Sequence, residues 1–113
     1  MAESISEAEF ERLADAELNR LLDALIDSGA AVDPDLESGV LSIHFDDDTK
    51  YVVNSHRAAR QIWMAAERSA WHFDYDGETS SWLTGKTDEL WSSVNKVLTN
   101  KLGHPVTLKT VVD

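Results

Sequence analysis

The sequence contains no cysteine among its 113 residues. This absence excludes disulfides, thiolate metal sites, cysteine-ligated iron–sulfur clusters and cysteine nucleophiles, and it fits the reducing environment of a cytoplasm. Long apolar runs are absent too, since none approaches the roughly 20 residues of a membrane span. The N-terminus lacks the basic segment and apolar run of a signal peptide. We therefore expect a cytoplasmic protein that does not associate with membranes.

Motifs of catalysis are also missing. The sequence has no glycine-rich phosphate loop, no nucleophile elbow and no HExxH motif. It holds four histidines, and no two of them stand at a spacing typical of metal ligands. We therefore expect no catalytic residues and a protein that is not an enzyme. Most of the histidines are expected to be structural or to lie on the surface: His44, His56, His72 and His104.

Basic residues are scarce in the first part of the chain. Residues 1–48 hold 14 carboxylates but only two basic residues, Arg12 and Arg20, whereas residues 49–113 hold seven carboxylates and eight lysines or arginines. The formal net charge of −11 is therefore concentrated at one end. A one-sided negative field attracts cations or a basic partner. It also opposes binding to the phosphates of nucleic acids, which we do not expect as partners.

The periodicity of apolar residues predicts two helices, one near each end. Over residues 4–28 apolar side chains recur at three- and four-residue steps, with Ser4 or Ser6 as N-cap and Gly29 after the last turn. A second helix is predicted over residues 88–102, capped by Thr87 and ended by Gly103. The tail at residues 106–112 is apolar enough to pack back on the domain.

The region between the helices alternates with a period of two, which is typical of strands. A first strand is expected near residues 33–35, followed by strands within 40–75 and a short one at 81–83. Residues 46–49 form a predicted hairpin turn, and residues 56–60 form the next connection. Short connections make the sheet antiparallel. We predict one α+β domain over residues 1–113, a two-layer sandwich with both helices on one face of an antiparallel sheet of five to seven strands.

Carboxylates recur every four residues along the first helix, at Glu7, Glu11 and Asp15 and again at Asp23 and Asp27. Side chains four apart are neighbours on a helix, and oxygen ligands suit hard cations such as Ca²⁺, Mg²⁺, Mn²⁺ and iron. Without an EF-hand loop or paired histidines, such binding is expected to be weak, exposed and unselective. For a lone acidic helix the residues favour a solvated face, although the unrelieved negative sign argues against a purely structural surface.

A second candidate site centres on Trp63 in the strand at residues 61–66. If Ile62 and Met64 face the helices, Trp63 lies on the open face of the sheet, and the strand pattern leaves the opposite parity equally open. An exposed tryptophan among Gln, Asn and Arg is typical of an interface hot spot. We expect His72 beside Trp63 across the sheet. The candidate partner-binding residues are Asn54, Arg57, Arg60, Gln61, Trp63 and His72.

Several motifs stand at characteristic distances from one another. They are Tyr51-Val52-Val53-Asn54, then Gln61-Ile62-Trp63 seven residues after the asparagine, then Trp71-His72-Phe73-Asp74, and an isolated Trp82 ahead of a helix. The first helix adds Glu9-Phe10 and Leu13-Ala14-Asp15, and Gly39-Val40-Leu41 opens the second strand. Together these motifs resemble the frataxin family, in particular its bacterial CyaY-type members. The resemblance spans nearly the whole chain.

The resemblance implies a fold, a metal and partners. It implies two helices packed on one face of an antiparallel sheet, weak binding of ferrous and ferric iron, and a role in iron–sulfur cluster assembly with a cysteine desulfurase and a scaffold protein. It also implies that Asn54, Gln61 and Trp63 form an exposed patch that contacts partners. The iron-binding carboxylates it implies, called the acidic ridge below, are Asp23, Asp27, Asp33 and Asp35, with Glu11 and Asp15 nearby.

The chain departs from the family pattern at three places. Leu22 and Ile26 stand where bacterial relatives often carry acids, which makes the acidic ridge thinner. Ala58 stands where a proline is usual, so the loop after Asn54 is expected to be less rigid. Ser55 and His56 replace the usual basic residue and glutamine.

The leading hypothesis is an iron-binding adaptor or regulator of iron–sulfur cluster assembly. Iron would bind weakly, other divalent cations would substitute for it, and the protein would be a monomer, with iron-induced oligomers left open. Two alternatives stay open from the residues. One is ferroxidase-type oxidation of iron, and the other is an acidic docking module that acts without metal.

Overall fold

The computed structural model describes residues 5–85 and 88–109. In this part of the chain two helices, α1 (Glu7–Asp27) and α2 (Leu90–Leu102), flank a run of strands. The strands are β1 (Asp33–Glu37), β2 (Val40–His44), β3 (Lys50–His56), β4 (Gln61–Ala66), β5 (Ser69–Asp76), β6 (Ser81–Thr84) and β7 (Asp88–Glu89). The predicted α+β sandwich is confirmed, and its sheet has seven strands. No helix within the described ranges is long and apolar enough to cross a membrane.

Helix α1 lies within the predicted range of residues 4–28 and starts after the second of the two predicted caps. Ser6 is the N-cap, and its hydroxyl oxygen accepts a hydrogen bond from the backbone N–H of Glu9 at 3.1 Å. Gly29, just beyond the last turn, has a φ of +72° that a side chain would oppose. The apolar stripe is buried against the sheet, and its members are Phe10, Ala14, Leu18, Leu21, Ala24 and Leu25.

The seven strands lie in the sheet in the same order as in the chain, and every neighbouring pair is antiparallel. Strand β3 runs on to His56, which was predicted to belong to the connection at residues 56–60, because His56 pairs with Gln61 on β4. Only residues 57–60 therefore form the turn. The edge strand β1 carries acids and a proline, which protect an exposed edge against pairing with other chains.

Alternation along the strands assigns one face of the sheet to the helices. The buried inner-face side chains are Leu41, Ile43, Val53, Ile62, Met64, Phe73 and Trp82. Trp82 packs edge-on against Phe10 of α1 and against Tyr75, with ring centroids 5.9 and 5.2 Å apart. The opposite face carries no helix in the described part of the chain, so it is the open face of the sheet.

Helix α2 starts two residues later than predicted. Asp88 and Glu89 pair with β6 as the short strand β7, and the extended backbone of Glu89 makes it the N-cap. Its carboxylate accepts a hydrogen bond from the Ser92 N–H at 3.2 Å. The predicted cap, Thr87, lies outside the described residues. Gly103 ends the helix with a φ of +78°, as predicted.

The segment after α2 folds back along that helix, as predicted. Val106 and Leu108 are buried. Their backbone N–H groups donate to Oγ1 of Thr99 at 2.9 Å and to Oδ1 of Asn95 at 2.8 Å. These bonds satisfy the backbone where no strand partner exists. Residues 110–112, the rest of the predicted tail, lie outside the described ranges.

Three polar contacts link elements that are far apart in sequence. Glu17, 8% exposed, accepts hydrogen bonds from Arg20 and from the Trp91 indole, and so connects α1 to α2. Lys101 lies 2.6 Å from a carboxylate oxygen of Asp47, which lowers the pKa of that carboxyl well below its usual range. Tyr51 donates its hydroxyl hydrogen to Glu67 at 2.6 Å.

Gly39 should resist substitution. Its φ is +77°, and an added Cβ would lie 2.6 Å from Oγ of Ser55. We expect Gly39→Ala to lower the free energy of unfolding by about 1–2 kcal/mol, measured by urea denaturation. The matched control is Gly77→Ala, whose Cβ would meet no atom within 4 Å and which should cost nothing or stabilise by up to about 1 kcal/mol. Equal midpoints for the two variants would contradict the steric explanation.

Tyr51 should make stability fall at alkaline pH. Burial, together with the hydrogen bond to Glu67, raises the pKa of Tyr51 well above its ordinary value. In the unfolded chain this phenol ionises near pH 10. The contribution of Tyr51 to the free energy of unfolding is therefore fully present below pH 10 and is lost as the pH rises above it. At pH 8 we expect Tyr51→Phe to be less stable than the unsubstituted chain by about 1 kcal/mol. Urea denaturation should show this difference in the free energy of unfolding shrink by about 1 kcal/mol between pH 10 and pH 11. A difference that does not change with pH would contradict the prediction.

Candidate functional site

The open face of the sheet carries the aromatic patch predicted around Trp63. The strand pattern left two parities open, and the structure has the one that the resemblance implies: Ile62 and Met64 are buried against the helices, and Trp63 points away from them. Asn54 on β3 and His72 on β5 stand directly opposite Trp63 on its two sides. We call Asn54, Gln61, Trp63 and His72, together with His56, the aromatic patch.

Trp63 is less exposed than the sequence predicts. The imidazole of His56 stacks on one side of the indole, with ring centroids 3.8 Å apart and planes 12° apart. The imidazole of His72 also stacks on the indole, at 4.2 Å and 16°. Because the two histidines come from the strands on either side of β4, they cover opposite faces of the indole. The side chain is therefore half-buried and offers mainly its edge.

Hydrogen bonds hold the indole in this orientation. The Nε1–H of Trp63 donates to Oε1 of Gln61 at 2.8 Å, and the amide of Gln61 donates to Asp74 at 3.1 Å. Asn54 uses its amide locally, donating to the carbonyl of Ser55 at 3.2 Å. The patch therefore holds its tryptophan in one orientation, as a binding hot spot requires.

The two predicted arginines lie in the turn at residues 57–60, beside the patch. Arg57 is exposed and reaches α1, where its Nε lies 2.9 Å from Glu11 and its Nη1 lies 3.5 Å from Glu7. Arg60 has a φ of +52° and is half-buried, and its Nε has no hydrogen-bond partner within the described residues. Arg57 thus faces the acidic helix, where it neutralises part of the predicted metal-binding surface.

All six carboxylates of the acidic ridge are exposed. Those on α1 form two pairs, Glu11 with Asp15 and Asp23 with Asp27, each pair four residues apart. Asp33 and Asp35 pair across the sheet with His44 and Ser42 of β2, so they project from the open face. Within residues 5–85 and 88–109, no three acidic or histidine side chains converge in a way that could enclose a metal ion.

Ion pairs divide the negative charge of α1 into two halves. In the N-terminal half, Glu7 and Glu11 contact Arg57, Glu9 contacts Arg12, and Glu17 contacts Arg20. Among the described residues, no cation lies within 4.0 Å of the other carboxylates of α1 or of those on β1. The uncompensated field therefore comes mainly from the C-terminal half of α1 and from β1, at Asp23, Asp27, Asp33 and Asp35, and Asp15 adds to it in the N-terminal half.

Two features of the site were missed from the sequence. The stacking of His56 depends on the extension of β3, which a polar sequence did not indicate. The pairing of Arg57 with Glu7 and Glu11 joins residues about 50 positions apart. The four-residue spacing of the glutamates, combined with an arginine in the turn facing α1, is the pattern that could have suggested it.

Comparison with known proteins gives the chain a family. The sequence model of the frataxin-like domain matches residues 3–104. The iron–sulfur cluster assembly protein CyaY of Pseudomonas syringae pv. syringae is 37% identical over 91 residues, which make up 80% of this chain and 83% of that protein.

Solved structures show the same fold. The frataxin of Psychromonas ingrahamii, a member of the CyaY family, has a TM-score of 0.83 at 24% identity, covering 93% of this chain and 99% of that chain. The trimeric frataxin of Saccharomyces cerevisiae, complexed with ferrous iron, has a TM-score of 0.66 at 21% identity, covering 91% of each chain. Both likenesses concern the arrangement of helices and strands. Taken with the match over residues 3–104, they leave one conclusion: the chain belongs to the frataxin-like domain family.

Proposed function

We propose that the protein is an iron-binding adaptor of iron–sulfur cluster assembly that carries iron as cargo and docks on a cysteine desulfurase and its scaffold. The observation that carries this proposal is the uncompensated, exposed set of carboxylates at the C-terminal half of α1 and on β1. The assembly role named for the Pseudomonas relative supports it. The cytoplasm stays the predicted place of action.

The geometry favours weak and exchangeable iron. In the described part of the chain no three ligands converge, so each iron ion would be held by one or two carboxylates and otherwise by water. Carboxylate oxygens accept Fe²⁺, Fe³⁺, Ca²⁺ and Mg²⁺ alike. Loose binding of this kind suits a cargo that is handed to a partner.

The same geometry argues against the ferroxidase alternative. Oxidation of Fe²⁺ by O₂ at a protein site works best when clustered carboxylates hold two irons close together. Asp23 and Asp27 project from a helix, whereas Asp33 and Asp35 project from the open face of the sheet. We therefore propose that the chain is not an enzyme.

The C-terminal half of α1 also has the properties of a docking surface. Ile26 is 65% exposed between Asp23 and Asp27. An apolar side chain there removes a potential iron ligand, but it adds a contact that a basic partner surface can bury. The charges would steer such a partner and make the association fast and salt-dependent. The aromatic patch, on the other side of the sheet, is the second contact that we propose.

The metal-independent alternative rests on the same residues. If docking alone matters, the carboxylates serve the basic partner, and metal binding is incidental. The two proposals share the docking surface and differ in whether iron bound at the acidic ridge takes part in cluster assembly.

An anaerobic ¹⁵N–¹H NMR titration tests the proposal directly. We expect added Fe²⁺ to perturb the backbone resonances around the acidic ridge, and a cysteine desulfurase, added separately, to perturb the C-terminal half of α1. Docking without any iron effect would favour the metal-independent alternative. If neither Fe²⁺ nor the desulfurase perturbs any resonance, the proposed function is refuted. A scaffold protein is added in a third titration. Sedimentation with and without iron tests whether iron makes the protein self-associate.

Charge reversal tests the docking surface. We expect Asp23→Lys with Asp27→Lys to weaken desulfurase binding more than tenfold, because it replaces attraction by repulsion where the field is uncompensated. Calorimetry at fixed salt measures the affinity. The control is Asp46→Lys with Glu78→Lys, which changes the net charge equally at exposed turn positions outside α1 and β1. A similar loss in both variants would mean that only the total charge matters.

A further inference from the structure

The turn at residues 57–60 lies between the acidic helix α1 and the aromatic patch. On one side Arg57 contacts the N-terminal half of α1, and on the other the neighbouring His56 covers Trp63. We propose that His56 and Arg57 form a strap that couples the two surfaces. Cations that take the carboxylates of Glu7 and Glu11 would release Arg57, free the turn, and uncover the indole face of Trp63.

Arg57 is well placed to act as the fixed end of the strap. Its guanidinium contacts two carboxylates at once, Glu11 at 2.9 Å and Glu7 at 3.5 Å. Among the described residues this is the one ion-pair link between α1 and the sheet with its turns. The partners are all about half to two-thirds exposed, so solvent weakens the link and a competing cation can reach it.

A cleft beside this link gives a cation room to enter. It has a volume of about 420 Å³ and lies between α1 and the ends of the hairpins. A positive ion there would take the charge-neutralising position that the Arg57 guanidinium now holds. Its lining residues are Phe10, Glu11, Asp15, Ser38, Gly39, Ser55 and Arg57.

His56 is tied to the turn that Arg57 anchors. Its Nδ1 accepts a hydrogen bond from the backbone N–H of Ala59 at 3.3 Å, so the ring orientation depends on the path of residues 57–59. The same ring lies 3.8 Å from the indole of Trp63. A change in the turn therefore reaches the stack without passing through the core.

The turn itself is easily changed. Arg60 closes it with a φ of +52°, a conformation that a non-glycine residue rarely adopts. No proline restricts residues 57–60. The turn has one backbone hydrogen bond of its own, from the Arg60 N–H to the Arg57 carbonyl at 3.1 Å. Its other contacts are the Arg57 ion pairs and the His56 hydrogen bond, so residues 57–59 can shift when the Arg57 contact is lost.

The coupling runs in both directions. A partner that stacks on the indole face covered by His56 must displace that ring, which loosens the turn and leaves Glu7 and Glu11 freer to bind a cation. From the strength of exposed ion pairs, we expect each ligand to change the affinity of the other by about two- to fivefold. The identity of the natural cation and of the natural partner rests on the proposed function. The contacts of the strap can be tested without iron and without a partner protein.

The test follows the ring protons of His56 by NMR at one fixed pH, assigned with His56→Gln. Stacking on an indole shifts these protons upfield. We expect Arg57→Gln to move them downfield, toward the position of an unstacked imidazole, and Arg12→Gln to leave them in place. Arg12 is a matched control because it is an exposed arginine that pairs with α1 through Glu9. Glu7→Gln with Glu11→Gln breaks the same link from the other side and should reproduce Arg57→Gln.

Ca²⁺ then serves as the cation probe. In the unsubstituted chain it should move the His56 protons in the same direction as Arg57→Gln does, and in Arg57→Gln it should bind about two- to fivefold more tightly and move them no further. Unmoved His56 protons in Arg57→Gln, or at saturating Ca²⁺, would overturn the strap, as would an equal shift in Arg12→Gln. The Arg57→Gln comparison contains no iron and no desulfurase, so its failure leaves the proposed function untouched. Conversely, a titration in which neither iron nor the desulfurase perturbs any resonance would not contradict the strap.

Discussion

The structure depends on one packing constraint, which is that both helices cover the same face of a single antiparallel sheet. That face must be largely apolar, and its buried residues are, from Leu41 and Ile43 to Phe73 and Trp82. The other residues of the same strands then have no layer to pack against in the described part of the chain. Trp63 lies among them, and its partial burial comes from its own neighbours His56 and His72 rather than from a second layer. An aromatic residue that is held in place yet reachable from solvent is thus a direct result of the two-layer architecture.

The acidic end of the chain shows how a fold can carry concentrated charge. Its carboxylates are neutralised selectively, with arginines beside the glutamates of the N-terminal half of α1 and none beside Asp23 or Asp27 among the described residues. Like charges four residues apart weaken a helix by a few tenths of a kcal/mol per pair. The large buried stripe of α1, about 25 cal/mol per Å² of apolar surface, outweighs that cost. Negative charge can therefore persist on this helix without threatening the fold.

Local patterns predicted the parts of the structure that local physics determines. The alternation of Ile62 and Met64 with Trp63, the cap at Ser6 and the stop at Gly103 each depend on residues close in sequence. The start of α2 was wrong because Asp88 and Glu89 suit the first turn of a helix as well as they suit a short edge strand, and only pairing with β6 decides between them. The burial of Glu17 depends on Trp91, 74 residues away, and no periodicity indicates such a contact. In the same way, the spacing of the carboxylates predicted an exposed acidic helix, whereas the neutralisation of Glu7 and Glu11 depends on Arg57, which only the tertiary fold brings to α1.

The sequential strand order has a consequence for how the chain reaches this structure. Each strand pairs with the one before it, so every pairing closes only a short loop and costs little chain entropy. Docking of α1 is different, because its contacts with Trp82 and Trp91 close loops of about 70 residues. The acidic helix precedes the sheet in the chain, and these two contacts can form only after β6 and α2 exist. We expect its contacts to form after the folding transition state, so that changes in its charge would act mainly on the lifetime of the folded protein rather than on the speed of folding.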